Sequence, residues 1–371
     1  MSKHIRMAGV GSYLPGEPIP FDKINEYLGN FEKTPKKIQS WVNRVQPMMK
    51  EMLGINYCYY AFDNKTRTFT DDNLTMSVEA SKKAIDSANL KPEDIDLIVY
   101  GGAYSSQIPP MSTKIQEELG IDLCGEFYIH SNCTSVYKAI KLAHSLLSSG
   151  EYKNALVVSS NVASSSFIPE FYNQEVITKD DIFLRWYLCD GAGAMVLKAE
   201  EEKATGFYLE DSYIESAGGK KVSAMSNKMP YHWLNPEEVY KKGLQHISQI
   251  YLNDMKAFAV DENGKTIFYN ALNRMIEKYN IDYSQLGNFV INMPSKFVRE
   301  YIIDECVELD IERDKFYSAI EDIGYSGPPA AIISIDNLLK ESSFKDGDLI
   351  FSFVMEVSKF MQAGFTLRYN S

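Results

Sequence analysis

Residues 125–150 read GEFYIHSNCTSVYKAIKLAHSLLSSG, and this stretch decides the fold. A short apolar run, EFYI, ends just before a polar turn, and a helical segment follows whose apolar residues cover most of its circumference. A helix of that kind lies inside a large core rather than on its surface. The stretch therefore predicts a strand followed by an internal helix, with Cys133 at the junction between them.

The position of Cys133 favours nucleophilic chemistry. The first turn of a helix has free backbone N–H groups and the positive end of the helix dipole, and both favour a thiolate over a thiol. The same N–H groups stabilise an oxyanion, so a cysteine at this point is suited to form an acyl-thioester. The alternative is a structural cysteine, because free cysteine commonly packs as a small hydrophobic side chain.

The composition is that of a globular protein in a reducing compartment. Of 371 residues, 45% are hydrophobic and 24% are charged, which is enough apolar material for a sizeable core. The formal net charge of -12 argues against nucleic acid or a membrane as a partner. The five cysteines have neither disulfide-like nor metal-like spacing, and the N-terminal residues lack the apolar run of a signal peptide. We therefore expect a cytoplasmic protein without a metal site.

Apolar runs alternate with helical segments along the whole chain, which is typical of a mostly parallel sheet covered by helices. The first series has the strands DIDLIVYGG, EFYIHSN and NALVVSSN, and DGAGAMVLKA is predicted to be an antiparallel strand. In the second series NFVINMPS, KFVREYIIDECVEL, PPAAIISIDNLLKE and DLIFSFVMEV follow as strand, helix, helix and closing strand. A long helical region from about Pro236 to Lys278 connects the two. We therefore divide the chain into two similar halves, residues 1–200 and 201–371.

Several of these stretches together resemble β-ketoacyl-ACP synthase III and its relatives in the thiolase superfamily. They are MAGVGSYLPGEPIP, SWVNR, MSVEASKKAI, LKPEDIDLIVYG, PPMSTKIQEELG, SNCTSVYKAIKLAHSLLSSGEYKNALVVSSN and DGAGAMVLKA, so the resemblance is close in the first half and limited to layout in the second. It implies an α/β fold of five layers, αβαβα, made of two pseudo-repeated halves, usually as a homodimer. It also implies that Cys133 accepts an acyl group from a thioester of CoA or acyl carrier protein, with no permanently bound cofactor.

The resemblance also implies substrate-binding residues. Ile108 falls where such enzymes place a residue that crosses the dimer interface and caps the partner's acyl pocket, although a plain loop position fits it equally. Trp41 and Arg44 fall near the family's CoA-contacting tryptophan and arginine, whose side chains suit adenine stacking and phosphate pairing. Because the arginine spacing differs from the family pattern, a surface salt bridge is an alternative role for Arg44. Lys296 either meets the phosphate of a pantetheine arm or is a solvated surface charge.

Three positions depart from the family pattern, in which a histidine and an asparagine stabilise the enolate of a decarboxylated malonyl thioester. At the strand end where the family has the histidine, this chain has Asn292, which donates a hydrogen bond but cannot take up and release a proton at neutral pH. After a glycine, where the family has the asparagine, it has Tyr325. The family's glycine-rich loop is replaced by VMEVSKF, which contains Glu356 and requires a different path or more strain.

A substitute for the missing histidine must be a group that exchanges a proton. His130 precedes Cys133 by one short turn and reaches the thiol if the chain bends sharply there; otherwise it is a buried structural histidine. His232, in MPYHWLNPEE, lies where a loop of the family lines the substrate tunnel. Glu356 is a further candidate base, because a carboxylate beside an apolar tunnel has a raised pKa.

Two functions from different classes fit these residues. The first is an acyltransferase or condensing enzyme of the synthase III type, in which Cys133 passes an acyl group to a second substrate in a specialised biosynthetic pathway. The acceptor is a malonyl-derived enolate if Asn292 and Tyr325 stabilise one, and an oxygen, nitrogen or preformed carbon nucleophile if they do not. The second function is a catalytically incomplete subunit or scaffold that pairs with a complete ketosynthase as a heteromer. Thioester hydrolysis is a third reaction open to the same cysteine.

Overall fold

The computed structural model describes residues 3–103, 107–175, 177–221, 223–225, 227–228, 235–237, 248–249 and 260–371. Within these ranges, ten strands form one sheet. The strands of the N-terminal half are β1 (His4–Tyr13), β2 (Leu97–Gly102), β3 (Gly125–His130), β4 (Asn154–Asn161) and β5 (Gly191–Glu200). Those of the C-terminal half are β6 (Gly206–Ser216), β7 (Leu286–Ile291), β8 (Phe316–Tyr317), β9 (Leu349–Glu356) and β10 (Met361–Asn370).

The helices alternate with these strands. They are α1 (Ile24–Leu28), α2 (Lys36–Leu53), α3 (Asn73–Ser87), α4 (Met111–Leu119), α5 (Ser135–Ser149), α6 (Lys179–Phe183), α7 (Ile267–Tyr279), α8 (Lys296–Val307), α9 (Ile320–Ile323) and α10 (Ala330–Glu341). Short strand pairs join Ile19–Pro20 to Tyr57–Cys58, Phe62–Asp63 to Thr68–Phe69, and Asn227–Lys228 to Ser248–Gln249. None of the described helices is long and apolar enough to cross a membrane.

The order of the strands repeats between the two halves. Across the sheet it is β8-β7-β9-β10-β6-β1-β5-β4-β2-β3, so each half has the same five-strand arrangement and the halves meet where β1 pairs with β6. That pairing is antiparallel and joins Arg6 to Tyr208 and Met7 to Phe207. The two pseudo-repeated halves are thereby confirmed. The boundary at residue 200 stays a prediction, and it falls between β5 and β6.

Side-chain alternation along the strands sorts the core into layers. On β2, Leu97 and Val99 pack with α5 and α10 in a central cluster, whereas Ile98 and Tyr100 pack with α3 and α4 in an outer one. In the C-terminal half, Phe351 and its neighbours pack with α7 and α8 in the equivalent outer cluster. The two five-strand halves of the sheet therefore form two layers, with helices between them and on both outer sides, which confirms the predicted αβαβα fold.

Two predicted elements differ from the structure. DLIFSFVMEV contains β9, but it is not the closing strand, because β10 follows and pairs with it antiparallel through a turn in which Phe360 has a φ of 56°. The long helix from about Pro236 to Lys278 is also wrong in its described part. Residues 261–265 form a turn, and α7 begins only at Ile267, where the Thr266 side chain accepts a hydrogen bond from the Tyr269 N–H.

Candidate active site

Cys133 lies in the short loop between β3 and α5, at the wall of an apolar cavity. The cavity encloses about 100 Å³, and the Cys133 side chain is partly exposed to it. The first turn of α5 packs directly on Gly101 of β2, where a Cβ would lie 2.6 Å from the Ser135 carbonyl oxygen. The apolar part of the lining comes from both halves of the chain and includes Leu184, Tyr187, Leu188, Met225, Met293, Val298, Met355 and Val357.

The electrostatic environment of Cys133 differs from the prediction. Burial, followed by the negative charge of Glu356, raises the pKa of the thiol to about 12, so the side chain is a thiol and not a thiolate at neutral pH. The expected lowering of the pKa by the helix N-terminus is therefore wrong. Burial is the main reason, and the Thr134 N–H at the start of the helix donates to the Glu356 carboxylate at 3.0 Å.

Glu356 is the anion at the start of α5. Its Oε2 atom also accepts hydrogen bonds from the hydroxyls of Ser131 at 3.0 Å and Thr134 at 2.6 Å, and its Oε1 atom accepts one from Ser358 at 2.5 Å. The Lys138 ammonium donates to the Ser131 hydroxyl at 2.7 Å and brings a positive charge close to the carboxylate. Hydroxyl groups and a backbone amide thus surround this buried side chain, while its neighbours Met355 and Val357 line the apolar cavity. The role of Glu356 as a base stays a prediction.

Tyr325 and Cys133 are brought together. The Tyr325 hydroxyl hydrogen-bonds to the Cys133 sulfur, an interaction that lowers the pKa of the thiol and raises that of the tyrosine. Burial is the largest reason why the pKa of Tyr325 is well above its usual range. The preceding Gly324 has a φ of 68°, and a Cβ there would lie 2.8 Å from the Cys189 sulfur, so the chain reaches the site only with glycine at this position.

Asn292 and Met293 follow the end of β7 and lie in different surroundings. The Asn292 amide donates to the Tyr137 hydroxyl at 2.7 Å and accepts from the Ser334 hydroxyl at 3.3 Å, within a buried polar group behind the cavity. Met293, not Asn292, is the residue that lines the cavity. A residue of this strand end thus shares the cavity with Cys133, but it has a thioether in place of a hydrogen-bonding group.

The predicted histidines do not meet the thiol within the described chain. His130 is the last residue of β3 and is exposed, so the alternative of a buried structural histidine is wrong. It is not part of the cavity lining. His232 lies outside the described residues.

None of the predicted substrate-binding residues that the structure describes lines the cavity. Ile108 is 98% exposed and does not line the cavity of its own chain. Trp41, on α2, packs against Trp186 with ring centroids 5.8 Å apart. Arg44 on the same helix and Lys296 at the start of α8 are exposed, and neither forms an ion pair in the ranges that the structure covers. Their proposed contacts with CoA, a pantetheine arm or a partner chain stay predictions.

The sequence did not reveal which residue of the strand end lines the cavity or which hydroxyl groups bind Glu356. Met293 was missed because the strand was predicted to present Asn292, although alternation beyond a buried strand puts adjacent residues on opposite faces. Ser131 and Thr134 were part of the quoted motif, but their role is to donate hydrogen bonds to Glu356. That residue is 225 and 222 positions away from them in the sequence, so the motif alone does not reveal it.

Comparison with known proteins finds relatives over most of the chain. A family model described as 3-Oxoacyl-[acyl-carrier-protein (ACP)] synthase III matches residues 127–218, which include Cys133. Beta-ketoacyl-[acyl-carrier-protein] synthase III of Clostridium perfringens is 26% identical over 349 residues, which are 94% of this chain and 94% of the relative. The protein of the same name from Staphylococcus aureus is 24% identical over 348 residues, which are 94% and 93% of the two chains.

Solved structures share the fold. OleA of Xanthomonas campestris, with bound lauric acid and lauroyl-CoA, superposes with a TM-score of 0.77 at 17% identity and covers 100% of both chains. The tetronic acid condensing enzyme AbyA1 has a TM-score of 0.75 at 19% identity and covers 98% of this chain and 99% of its own. The predicted resemblance to synthase III and the thiolase-like fold are both confirmed by these comparisons.

Proposed function

We propose that this chain, a synthase III-like member of the thiolase superfamily, is an acyltransferase that carries an acyl group on Cys133. The observation that supports this most directly is the pairing of one partly exposed thiol with the Tyr325 hydroxyl at the wall of an apolar cavity. A thioester of CoA or acyl carrier protein is the donor, because the names of the relatives contain acyl carrier protein and the OleA structure holds lauroyl-CoA. No permanently bound cofactor takes part in the exchange.

The first step exchanges one thioester for another. The Cys133 sulfur attacks the carbonyl carbon of the donor, the bond from that carbon to the pantetheine sulfur breaks, and the proton of the Cys133 thiol ends on the departing pantetheine thiol. Because the resting side chain is a thiol, that proton must be moved during the attack. The Tyr325 hydroxyl is the group in contact with the sulfur, and we assign it the transfer of this proton.

The second step delivers the acyl group to an acceptor that arrives as a nucleophile. A malonyl-derived enolate requires hydrogen-bond donors around its oxygen, and Met293 supplies none. We therefore favour an oxygen, nitrogen or preformed carbon nucleophile over decarboxylative condensation. A specialised biosynthetic role agrees with this choice, and one of the structural neighbours is named as a tetronic acid condensing enzyme.

Acylation of Cys133 tests the proposal. The protein is incubated with acetyl-CoA and butyryl-CoA, and intact-protein mass spectrometry is expected to show one acyl adduct that is absent from Cys133→Ala. Cys124→Ala is the matched control, because Cys124 is the other partly exposed cysteine, and it should keep the adduct. Malonyl carrier protein is then added. Release of carbon dioxide with chain extension would contradict the preference for a preformed nucleophile.

The second candidate is the catalytically incomplete subunit. The raised pKa of Cys133 and the methionine in the cavity favour it, since both reduce the capacity for chemistry. It predicts that neither acyl-CoA thioesters nor iodoacetamide label Cys133 and that the chain co-purifies with a complete ketosynthase. Labelling of Cys133 by an acyl-CoA excludes it, and steady release of free acid identifies thioester hydrolysis instead.

A further inference from the structure

A second pocket, which we call the Arg185 pocket, lies beside the start of α2. It encloses about 340 Å³, and its polar lining includes Asn25, Asn30, Glu32, Gln39, Asn43 and Arg185. It shares no lining residue with the Cys133 cavity. The 3₁₀ turn Leu184–Trp186 separates the two, because Leu184 lines the cavity and Arg185 lines the pocket.

The Arg185 guanidinium is a buried charge with unused donors. The side chain is 1% exposed, and its Nη2 atom donates to the Gly29 carbonyl at 2.5 Å, near the end of α1. The guanidinium carbon lies 4.7 Å from the centre of the Phe31 ring. Its Nε and Nη1 atoms have no hydrogen-bond partner among the described residues. Burial lowers the pKa of Arg185 to about 10, so the group stays charged at neutral pH.

No carboxylate of the described chain forms an ion pair with Arg185. Glu170 is close enough to influence it, but that carboxylate is already paired with Arg67 at 2.6 Å. A buried guanidinium is costly unless an anion accepts its hydrogen bonds, and a carboxylate matches its planar set of donors. The lining therefore has the chemistry of a receptor for an anionic group.

We propose that the Arg185 pocket binds a small monocarboxylate. Its volume is at the lower end of the range for small-molecule sites, roughly 300 Å³ and above. The side-chain amides of Asn30, Gln39 and Asn43 offer further N–H donors to the carboxylate of the ligand. A phosphate dianion fits less well, because the Glu32 carboxylate lies exposed in the lining and the whole chain carries a net charge of -12.

The pocket differs from the predicted CoA contact at Trp41. Gln39 and Asn43 lie one helical turn apart on the face of α2 that lines the pocket, and Trp41 lies midway between them in sequence, so it projects from the opposite face. There it packs against Trp186, with the Lys179 ammonium 5.5 Å from its ring centre. A ligand of the Arg185 pocket therefore does not occupy the place expected for adenine.

Acetate is the probe for this site. The full chain is titrated at pH 7.5 with sodium acetate, sodium phosphate or sodium chloride at matched ionic strength, and binding is followed by calorimetry and by the melting temperature. Saturable binding is expected for acetate, with at least threefold weaker binding for phosphate. Arg185→Met is expected to weaken acetate binding at least tenfold. The proposal would be overturned if acetate bound no more tightly than chloride, or if phosphate bound as tightly as acetate.

Three further variants keep the test decisive. Asn43→Leu removes an amide from the exposed face of α2 and leaves the hydrogen bonds of Arg185 intact. This variant therefore remains folded even if Arg185→Met does not. It should weaken acetate binding at least threefold. Lys37→Met, on the same helix outside the pocket, should leave the acetate affinity unchanged. Cys133→Ala should also leave the acetate affinity unchanged, which separates this site from the cavity and from acyl transfer. Wild-type affinity in Asn43→Leu contradicts the assignment.

Discussion

The Glu356 carboxylate accepts a hydrogen bond from the Thr134 N–H at the start of α5, so this N–H does not stabilise a thiolate at Cys133. A negative charge beside a thiol stabilises its protonated form, so Glu356 adds to the effect of burial and keeps Cys133 a thiol. The hydrogen bond from Tyr325 acts in the opposite direction. Reactivity at Cys133 is thus set by two identifiable neighbours, and each effect is separable by a single substitution.

Glu356→Gln should make Cys133 more reactive. The substitution keeps the size and an acceptor oxygen for the Thr134 N–H, but it removes the charge that raises the pKa of the thiol. The pKa therefore falls, and each unit of change alters the thiolate fraction about tenfold below the pKa. The rate of iodoacetamide labelling is measured against pH by intact-protein mass spectrometry. Glu126→Gln, an exposed carboxylate on β3, is the control, and an unshifted profile in Glu356→Gln would contradict the assigned cause.

Tyr325→Phe should make Cys133 less reactive. Without the hydroxyl, the sulfur loses the hydrogen bond that favours its charged form, so the pKa rises further and the labelling rate at pH 8 falls by roughly tenfold. Tyr137→Phe is a matched control, because its hydroxyl bonds to Ser352 and Asn292 and not to the sulfur. Equal losses in the two variants would show that Tyr325 acts only through packing.

At the scale of elements, the end of β7 shows why sequence predicts position better than orientation. The strand, the helix after it and the departure from the family histidine were all predictable, because apolar runs and turn residues fix where elements begin and end. Which of Asn292 and Met293 faces the cavity depends on how the chain leaves the sheet. If the chain shifted by one residue, Asn292 and Met293 would exchange faces of the sheet. The packing of neighbouring elements determines which of the two side chains points into the cavity.

Asn292→Ala should cost stability rather than chemistry. The substitution leaves Tyr137 and Ser334 each short of a buried hydrogen bond, which lowers the free energy of unfolding by about 1–3 kcal/mol. Urea denaturation measures that loss, and the rate of Cys133 acylation at 25 °C should change less than twofold. Met293→Ala, one residue along, is the comparison that alters the cavity itself. A loss of acylation in Asn292→Ala without a loss of stability would restore the catalytic role inferred from the family pattern.

At the scale of the whole molecule, the two halves meet at the candidate site. The N-terminal half contributes Cys133, and the C-terminal half contributes Tyr325, Met293 and Glu356. The duplicated order of strands was predictable because each half repeats the same local pattern. The interface between the halves was not predictable from the sequence, because its contacts link residues more than 150 positions apart. Asn292 and Tyr137, for example, are separated by 155 positions.

The strand β3 forms an edge of the sheet at which a second copy of the chain could pair. β3 ends the strand order, so one side of it has no neighbour among the described residues, and an open edge of this kind invites pairing with another chain. Phe127 on this strand is 40% exposed, and Leu123 just before it is 86% exposed. Exposed apolar side chains beside an unpaired edge favour a symmetric dimer, in which β3 pairs with its own copy.

Phe127→Glu should therefore convert a homodimer into a monomer. The two introduced carboxylates would repel each other in the paired edge, and light scattering after gel filtration at micromolar concentration would register half the wild-type mass. Phe297→Glu is the matched control, since Phe297 is 65% exposed on α8, away from the edge, and should leave the mass unchanged. If Ile108 closes the partner's cavity, the monomer should also acylate Cys133 more slowly. A wild-type protein that is already monomeric, or a Phe127→Glu variant that stays dimeric, would place the interface elsewhere and leave Ile108 a plain loop residue.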